Sequence, residues 1–423
     1  IIIWGTNAAS TQINVMTHAL KARRERGAKI VVIDTYNNAT AKQADLFVCV
    51  RPGTDGALAC ALMHVLFRDG KADRAYLKEF TDCPDALETH LRSRDPAWAE
   101  AISGVPASQI ETLASMIGST PKTFFRLGYG FTRQRNGAAS MHAALSIAAV
   151  AGSWRHEGGG AFHGNGGIYH WDKTLIEGLD CLDPKVRVLD QSRIGPILTG
   201  DPQDLGDGPP ITALLIQNTN PMSVAPDLNR VHEGFAREDL FVCVHEQFMT
   251  ETAQVADIIL PATMFLEHDD VYQAGGHQHI TLGPRIVNPP EGCRSNHEVI
   301  CALAKRLSAN HAGFDMSPRE LIDRTLQDSG WGNLQDLEQK HWIDCQPAFR
   351  DAHYLDGFAH DDGRFHFSPD WNALLPHGFG PADTVMPSLP DHWNVIEEAN
   401  SEMPYRLVTA PARHYLNSTF TET

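Results

Sequence analysis

Three clusters of polar residues stand where the chain leaves an apolar run. Gly5-Thr6-Asn7 follows IIIW, Asp34 ends AKIVVID, and Arg51-Pro52-Gly53-Thr54-Asp55 follows LFVCV. Glycine lets a ligand approach the backbone and leaves N–H groups free to meet phosphate. An aspartate after a strand can accept two hydrogen bonds from ribose hydroxyls or a guanine edge, and Arg51 would supply countercharge. Each cluster alone reads equally well as a turn or cap. Three on one strand edge point to a nucleotide site, although GTN is no GxGxxG fingerprint.

A second set follows the same grammar. ITALLI runs into the polar turn Gln217 to Pro221, and LFVCV at 240–244 runs into His245, Glu246 and Thr250. His245-Glu246 is no HExxH metal motif, because Met249 occupies the second histidine position. LEHDD at 266–270 has adjacent ligands that cannot converge, so it reads as a loop anchor. Arg133 and Arg135 suit either an anionic ligand or plain solvation. TETAQVAD weakly echoes NNATAKQAD, as duplicated architecture would.

The elements that position these residues are short apolar strands alternating with helices. Strands are expected at 1–4, 28–34, 46–50, 123–127, 211–216, after Leu240 and at 258–260, and helices between them. This alternation implies parallel sheets covered on both faces, with the ligand crevice at the carboxyl ends of the strands. A small-residue helix is expected from Asn136 to Ala151, and another from about Ser295. HEGGGAFHGNGG at 156–167 is too glycine-rich for a regular element, DGRFHFSPDW alternates like a strand, and Tyr405 opens a further strand.

The formal net charge of -17 disfavours nucleic acid and anionic membranes as partners. No apolar run is long enough to span a bilayer. The cysteines are scattered without CxxC spacing, so neither a zinc nor an iron–sulfur centre is visible, and no metal ligand is assigned.

Taken together, IIIWGTN, GAKIVVIDTYNNATAKQAD, VRPGTDGAL, GYGFTRQRNG, LLIQNTNP, VHEQFMTETAQVADIILPA and HYLNSTF resemble one family in order and spread. It is the molybdopterin-guanine-dinucleotide oxidoreductases, which include formate dehydrogenases, periplasmic nitrate reductases and dimethyl sulfoxide reductases. The resemblance implies an α/β fold of two Rossmann-like parallel-sheet domains plus the start of a β-rich C-terminal domain. The implied boundaries are 1–121, 122–310, a helical and irregular extension at 311–403, and 404–423. It implies molybdenum or tungsten held by two pterin guanine dinucleotides. Gly5, Asn7, Asp34, Gly53 and Asp55 would serve the first dinucleotide, with Asp34 and Asp55 at its guanosine end. Gly128, Gly130, Asn218, Asn220, His245, Glu246, Thr250 and Asp257 would serve the second, with Asp257 on the guanine. Arg133, Gln134 and Arg135 would shape the substrate pocket.

The resemblance also places the metal's protein ligand and a 4Fe-4S domain upstream of Ile1, so the chain is expected to be a central piece that is inactive alone. Its partners would be a small-molecule substrate and an electron-transfer subunit or redox protein, with no membrane insertion, in either cytoplasm or periplasm. The reaction class is two-electron oxidation or reduction. The alternatives are a non-catalytic structural subunit of a respiratory complex, which would not need the polar strand ends, and a plain dinucleotide dehydrogenase, which the missing GxGxxG disfavours.

Overall fold

The computed structural model describes residues 1–374, 385–394, 399–409 and 416–419. The chain forms two compact units, Ile1–Asn165 with Pro347–Ala410, and Gly166–Gln346 with Pro411–Thr423.

The first unit is built on a sheet of β1 (Ile2–Trp4), β2 (Val31–Asp34), β3 (Leu46–Cys49), β4 (Phe124–Leu127) and β5 (Gly160–Phe162). The strands run parallel in the order β3-β2-β1-β4-β5. Alternation decides which core each residue enters. Ile2, Trp4, Val31 and Ile33 join one buried cluster, while Ile3 and Val32 join another with Ala8, Met16 and Ala19. Both faces are covered, so these strands are apolar throughout. The helix Asp55–Arg68 is buried on nearly every side, as its unbroken run GALACALM requires. It packs against the helix Gly137–Val150, whose Ala143, Ala144 and Ala148 allow close approach. The chain winds outward from β1 to β3 and then returns to the other side of β1 for β4. That reversal makes the carboxyl ends of β1 and β4 a switch point, the edge at which open α/β sheets bind ligands.

The second unit holds two smaller sheets. β6 (Ala213–Gln217), β7 (Phe241–Glu246) and β8 (Ile258–Pro261) are parallel in that order. Ile216, Val242 and Val244 pack on Leu198, Met222, Val231 and Phe235. β9 (Asp270–Tyr272), β10 (His279–Gly283) and β11 (Trp342–Asp344) form an antiparallel sheet, β11-β10-β9. The helix expected near Ser295 is Asn296–Leu307, started by a full capping box between Ser295 and Glu298.

Three expectations need correction. The boundary at 121/122 falls inside one sheet, because β4 pairs with β1 and β5 with β4. A strand-plus-turn restart looks the same in sequence whether it opens a new sheet or fills the vacant side of β1. DGRFHFSPDW forms no strand, only the isolated bridge Thr81↔Phe365. Tyr405 and the residues to 409 carry no strand, and 410–415 and 420–423 lie outside the described residues, so the start of the C-terminal domain falls largely there. No helix among the described residues is long and apolar enough to cross a membrane.

Candidate functional site

The carboxyl edge of the first sheet is organised by backbone contacts. Gly128 N–H donates to Trp4 O at 2.8 Å and Gly130 N–H to Gly5 O at 2.8 Å. A Cβ on Gly128 would lie 2.3 Å from Thr6 Cβ, and one on Gly130 would lie 2.6 Å from Gly5 O. These two glycines are therefore required by the closeness of the β1 and β4 loops. They belong to the first edge, with Gly5 and Asn7, and not with the second-edge residues they were grouped with in sequence.

Gly5 takes a left-handed φ of +67°, and the turn ends in Asn7, whose Oδ1 accepts from Thr40 Oγ1 at 2.9 Å. Thr40 Oγ1 in turn accepts from Ala9 N–H at 2.9 Å. Asp34, the last residue of β2, accepts from Thr35 N–H and from Asn38 Nδ2, both at 2.7 Å. Burial raises its carboxyl pKa, against the lowering effect of those donors. Gly53 has φ +76°, and its carbonyl accepts from Asn136 Nδ2 at 2.7 Å.

Arg51 does not supply countercharge at this edge. Its guanidinium donates to Ala101 O and Ile102 O, the free carbonyls at the end of the helix Pro96–Ser103. That is a helix-terminus role. Of the proposed pocket residues, Arg133 and Arg135 are exposed, while Gln134 accepts a hydrogen bond from Arg406 through Oε1.

Asp55 is only 8% exposed and accepts from the Trp4 indole N–H at 2.7 Å. Burial pushes its carboxyl up to about 6, the Trp4 hydrogen bond opposes this, and the Asp34 charge adds to it. A folded value above the unfolded one of about 3.9 has a definite sign. The group's contribution to stability is full below about pH 4 and is lost as pH rises through the folded value. Asp55→Asn keeps an acceptor for Trp4 but cannot ionise. The variant is expected to gain on the wild type by about 2 kcal/mol between pH 4 and pH 7.5. Urea unfolding at both pH values measures this, and an unchanged difference would show that Asp55 is not held as described.

The second edge has the same parts. Asn218 leaves β6 with a left-handed φ of +58° and is exposed. Asn220 is buried, its Oδ1 accepting from Thr252 Oγ1 at 2.7 Å and its Nδ2 donating to Glu251 Oε2 at 2.7 Å. Thr252 Oγ1 accepts from Met222 N–H at 3.1 Å. His245 is fully buried, with Nδ1 facing Gln217 Nε2 at 3.0 Å and Nε2 facing Arg294 O at 3.0 Å. A carbonyl can only accept, so Nε2 carries the proton, Nδ1 takes the amide N–H, and neither nitrogen is spare for a ligand. Glu246 Oε1 accepts from Gln247 N–H at 2.7 Å, and Thr250 caps the helix Glu251–Gln254.

Asp257 is on the opposite edge. It precedes β8, and its Oδ2 accepts from Val242 N–H near the start of β7 at 2.7 Å. Asp45 does the same before β3, accepting from Ile30 N–H at 2.9 Å. The echo between NNATAKQAD and TETAQVAD is thus a strand lead-in repeated in both units, and its aspartate is structural.

A sharper repeat escaped the sequence reading. GTNAAS after β1 and NTNPMS after β6 carry a left-handed residue, a threonine and an asparagine in the same places. In both, the asparagine Oδ1 accepts from a fully buried threonine, which also accepts the amide two residues after the asparagine. Asp34 and Glu246 close the second strand of each sheet and each accepts the next backbone N–H. The signal was two six-residue strings, readable only by laying one strand end on the other.

Elsewhere, Asp180, Cys181 and His311 bring ligand-type atoms within 4.8 Å of one another. His311 Nδ1 accepts from Gly313 N–H, so Nε2 is the protonated nitrogen that donates to Asp180 at 3.1 Å, with no lone pair left for a metal. LEHDD serves as the loop anchor expected of it: Glu267 accepts Met264 N–H, Asp269 accepts Arg285 N–H and His268 meets Thr263 Oγ1.

Residues 1–306 match the family model described as Molybdopterin oxidoreductase. The chain is 35% identical over 425 residues to "Probable oxidoreductase YoaE" of Bacillus subtilis (strain 168), covering 99% of this chain and 60% of that protein. It is 26% identical to "F420-dependent formate dehydrogenase 1 subunit alpha" of Methanococcus maripaludis, covering 73% of this chain and 47% of that one. Among solved structures, acetylene hydratase from Pelobacter acetylenicus superposes with a TM-score of 0.67 at 17% identity, covering 93% of this chain and 57% of that one. That identity speaks to the fold alone. The chain spans about 60% of the first of these relatives and less of the others.

Proposed function

The chain belongs to the molybdopterin oxidoreductase family, and from that premise we propose that its two parallel sheets each bind one guanine dinucleotide arm of a molybdenum or tungsten bis-pterin cofactor. The enzyme it serves would carry out two-electron oxidation or reduction of a small substrate. The observation that carries this reading is the duplicated strand-end lock, Asn7 with Thr40 and Asn220 with Thr252. Two unrelated packing solutions would not repeat the same left-handed residue, the same asparagine and the same buried hydroxyl. A cofactor with two like arms needs two like edges.

The residues present suit such arms. Asn218 is exposed in a turn that leaves its side chain without a described partner, and Asp34 is only half-buried at the first edge. Both can meet ribose hydroxyls or the guanine edge. The bound group supplies metal redox chemistry, and these residues bind and orient its nucleotide ends. Asn220 and His245 hold the second edge together, and Asp55 lies beneath the first. Asp257 lies at the other end of its sheet, where it holds Val242 N–H.

Support for the oxidoreductase class comes from the family itself, and a relative such as the methanococcal formate dehydrogenase subunit suits a chain that works beside electron-transfer partners. An iron–sulfur cluster belongs to this proposal as a neighbour of the core. Elemental analysis of the protein purified from the cells that make it is expected to give one molybdenum or tungsten per molecule. Protein that turns over substrate without either metal would contradict the reading.

A further inference from the structure

The first edge sets two carboxylates beside the place proposed for a diphosphate, and one arginine ties its two loops. The Asp34 charge adds to the cost of ionising Asp55, and a diphosphate arm would add further negative charge. Arg51 is held at a helix end by the carbonyls of Ala101 and Ile102, and Arg126 beside β5 by those of Phe162 and His163. Arg406 is placed differently. It comes from the far end of the chain but belongs to the first unit. Its guanidinium donates to Pro52 O at 2.8 Å and to Gln134 Oε1, which ties the loop before Asp55 to the loop after β4. Like those of Arg51 and Arg126 its partners are neutral oxygens, but they lie on the two loops of the edge itself, and no carboxylate among the described residues forms an ion pair with it. Its charge acts on Asp55 through space.

We propose that Arg406 is the phosphate-binding cation of the first edge, bridging the Pro52 and Gln134 loops while its charge faces the diphosphate of the bound nucleotide. This rests on the reading that the edge binds a nucleotide. The planar guanidinium has five N–H donors. The two hydrogen bonds described leave others for phosphate oxygens, the geometry arginine recognises best. The position was hidden in sequence because 272 residues separate Arg406 from Gln134.

The test is calorimetric binding of GDP and of guanosine to the protein freed of nucleotide, for wild type, Arg406→Gln and Arg406→Lys. Arg406→Gln is expected to weaken GDP about tenfold and leave guanosine unchanged, since one charge-assisted contact to phosphate is lost. Arg406→Lys, which keeps the charge, should recover most of that loss. Equal GDP affinity in wild type and Arg406→Gln overturns the proposal. So does an equal loss of GDP and guanosine, which would make Arg406 a loop tie only. If the wild type binds neither compound, the nucleotide reading itself falls.

Discussion

Gly128→Ala is expected to destabilise the first unit by about 3 kcal/mol, the upper range for overpacking. The added Cβ would lie 2.3 Å from Thr6 Cβ and 2.4 Å from Gly5 O. Neither obstacle is the end of a flexible side chain. Thr6 is itself buried at 9% exposure, and Gly5 is fixed by its N–H bond to Ile33 O at 2.9 Å. Relief therefore requires β1 and β4 to move apart, breaking the Gly128 N–H bond to Trp4 O at 2.8 Å. Gly164 is the matched control: nothing lies within 4 Å of its Cβ position, so Gly164→Ala should change stability by no more than about 0.5 kcal/mol. Urea unfolding of both variants decides the matter. Equal stability would mean that the two loops are not in contact.

The second large effect is expected at the threonines behind the two asparagines. Thr252→Val keeps shape and removes the hydroxyl. It removes the 2.7 Å hydroxyl donor from Asn220 Oδ1, which keeps only the Thr252 N–H at 3.2 Å, and leaves Met222 N–H without its 3.1 Å acceptor in a site where Thr252 is fully buried. Orphaning one buried N–H and thinning the bonding of its neighbour costs about 2 kcal/mol. Thr252→Ser keeps both bonds and should cost about 1 kcal/mol. Thr40→Val is expected to behave alike in the first unit, stranding Asn7 Oδ1 and Ala9 N–H. Hydrogen exchange gives a local readout, since the amides of Met222 and Ala9 should lose protection in the respective variants. If only one variant shows the loss, the two edges are not equivalent.

Much of the fold was legible because buried parallel strands announce themselves as apolar runs. Ile2–Trp4, Val31–Asp34, Leu46–Cys49 and Phe124–Leu127 all fall where the runs predict. What the runs lacked was partner identity. Nothing in FFRL says that it pairs with IIW instead of opening a second sheet, because pairing is settled by which side of β1 is vacant. Polar strand ends were legible as a set and misread one by one. Arg51 looks like countercharge until the carbonyls of Ala101 and Ile102 are seen beside it. Asp257 looks like a ligand until it proves to start a strand instead of ending one. The asparagine–threonine locks join residues 33 and 32 positions apart, beyond any local pattern. The repeat that exposes them, GTNAAS against NTNPMS, was nonetheless present in the letters.

The central claim is that two like edges bind two like nucleotides around one metal. Acid hydrolysis of the protein purified from its native cells, followed by chromatography of the released nucleotides and elemental analysis of the same sample, tests it most directly. The expected result is a ratio of two guanine nucleotides to one molybdenum or tungsten. A ratio of one to one, or metal-bearing protein that releases no guanine nucleotide, would contradict it.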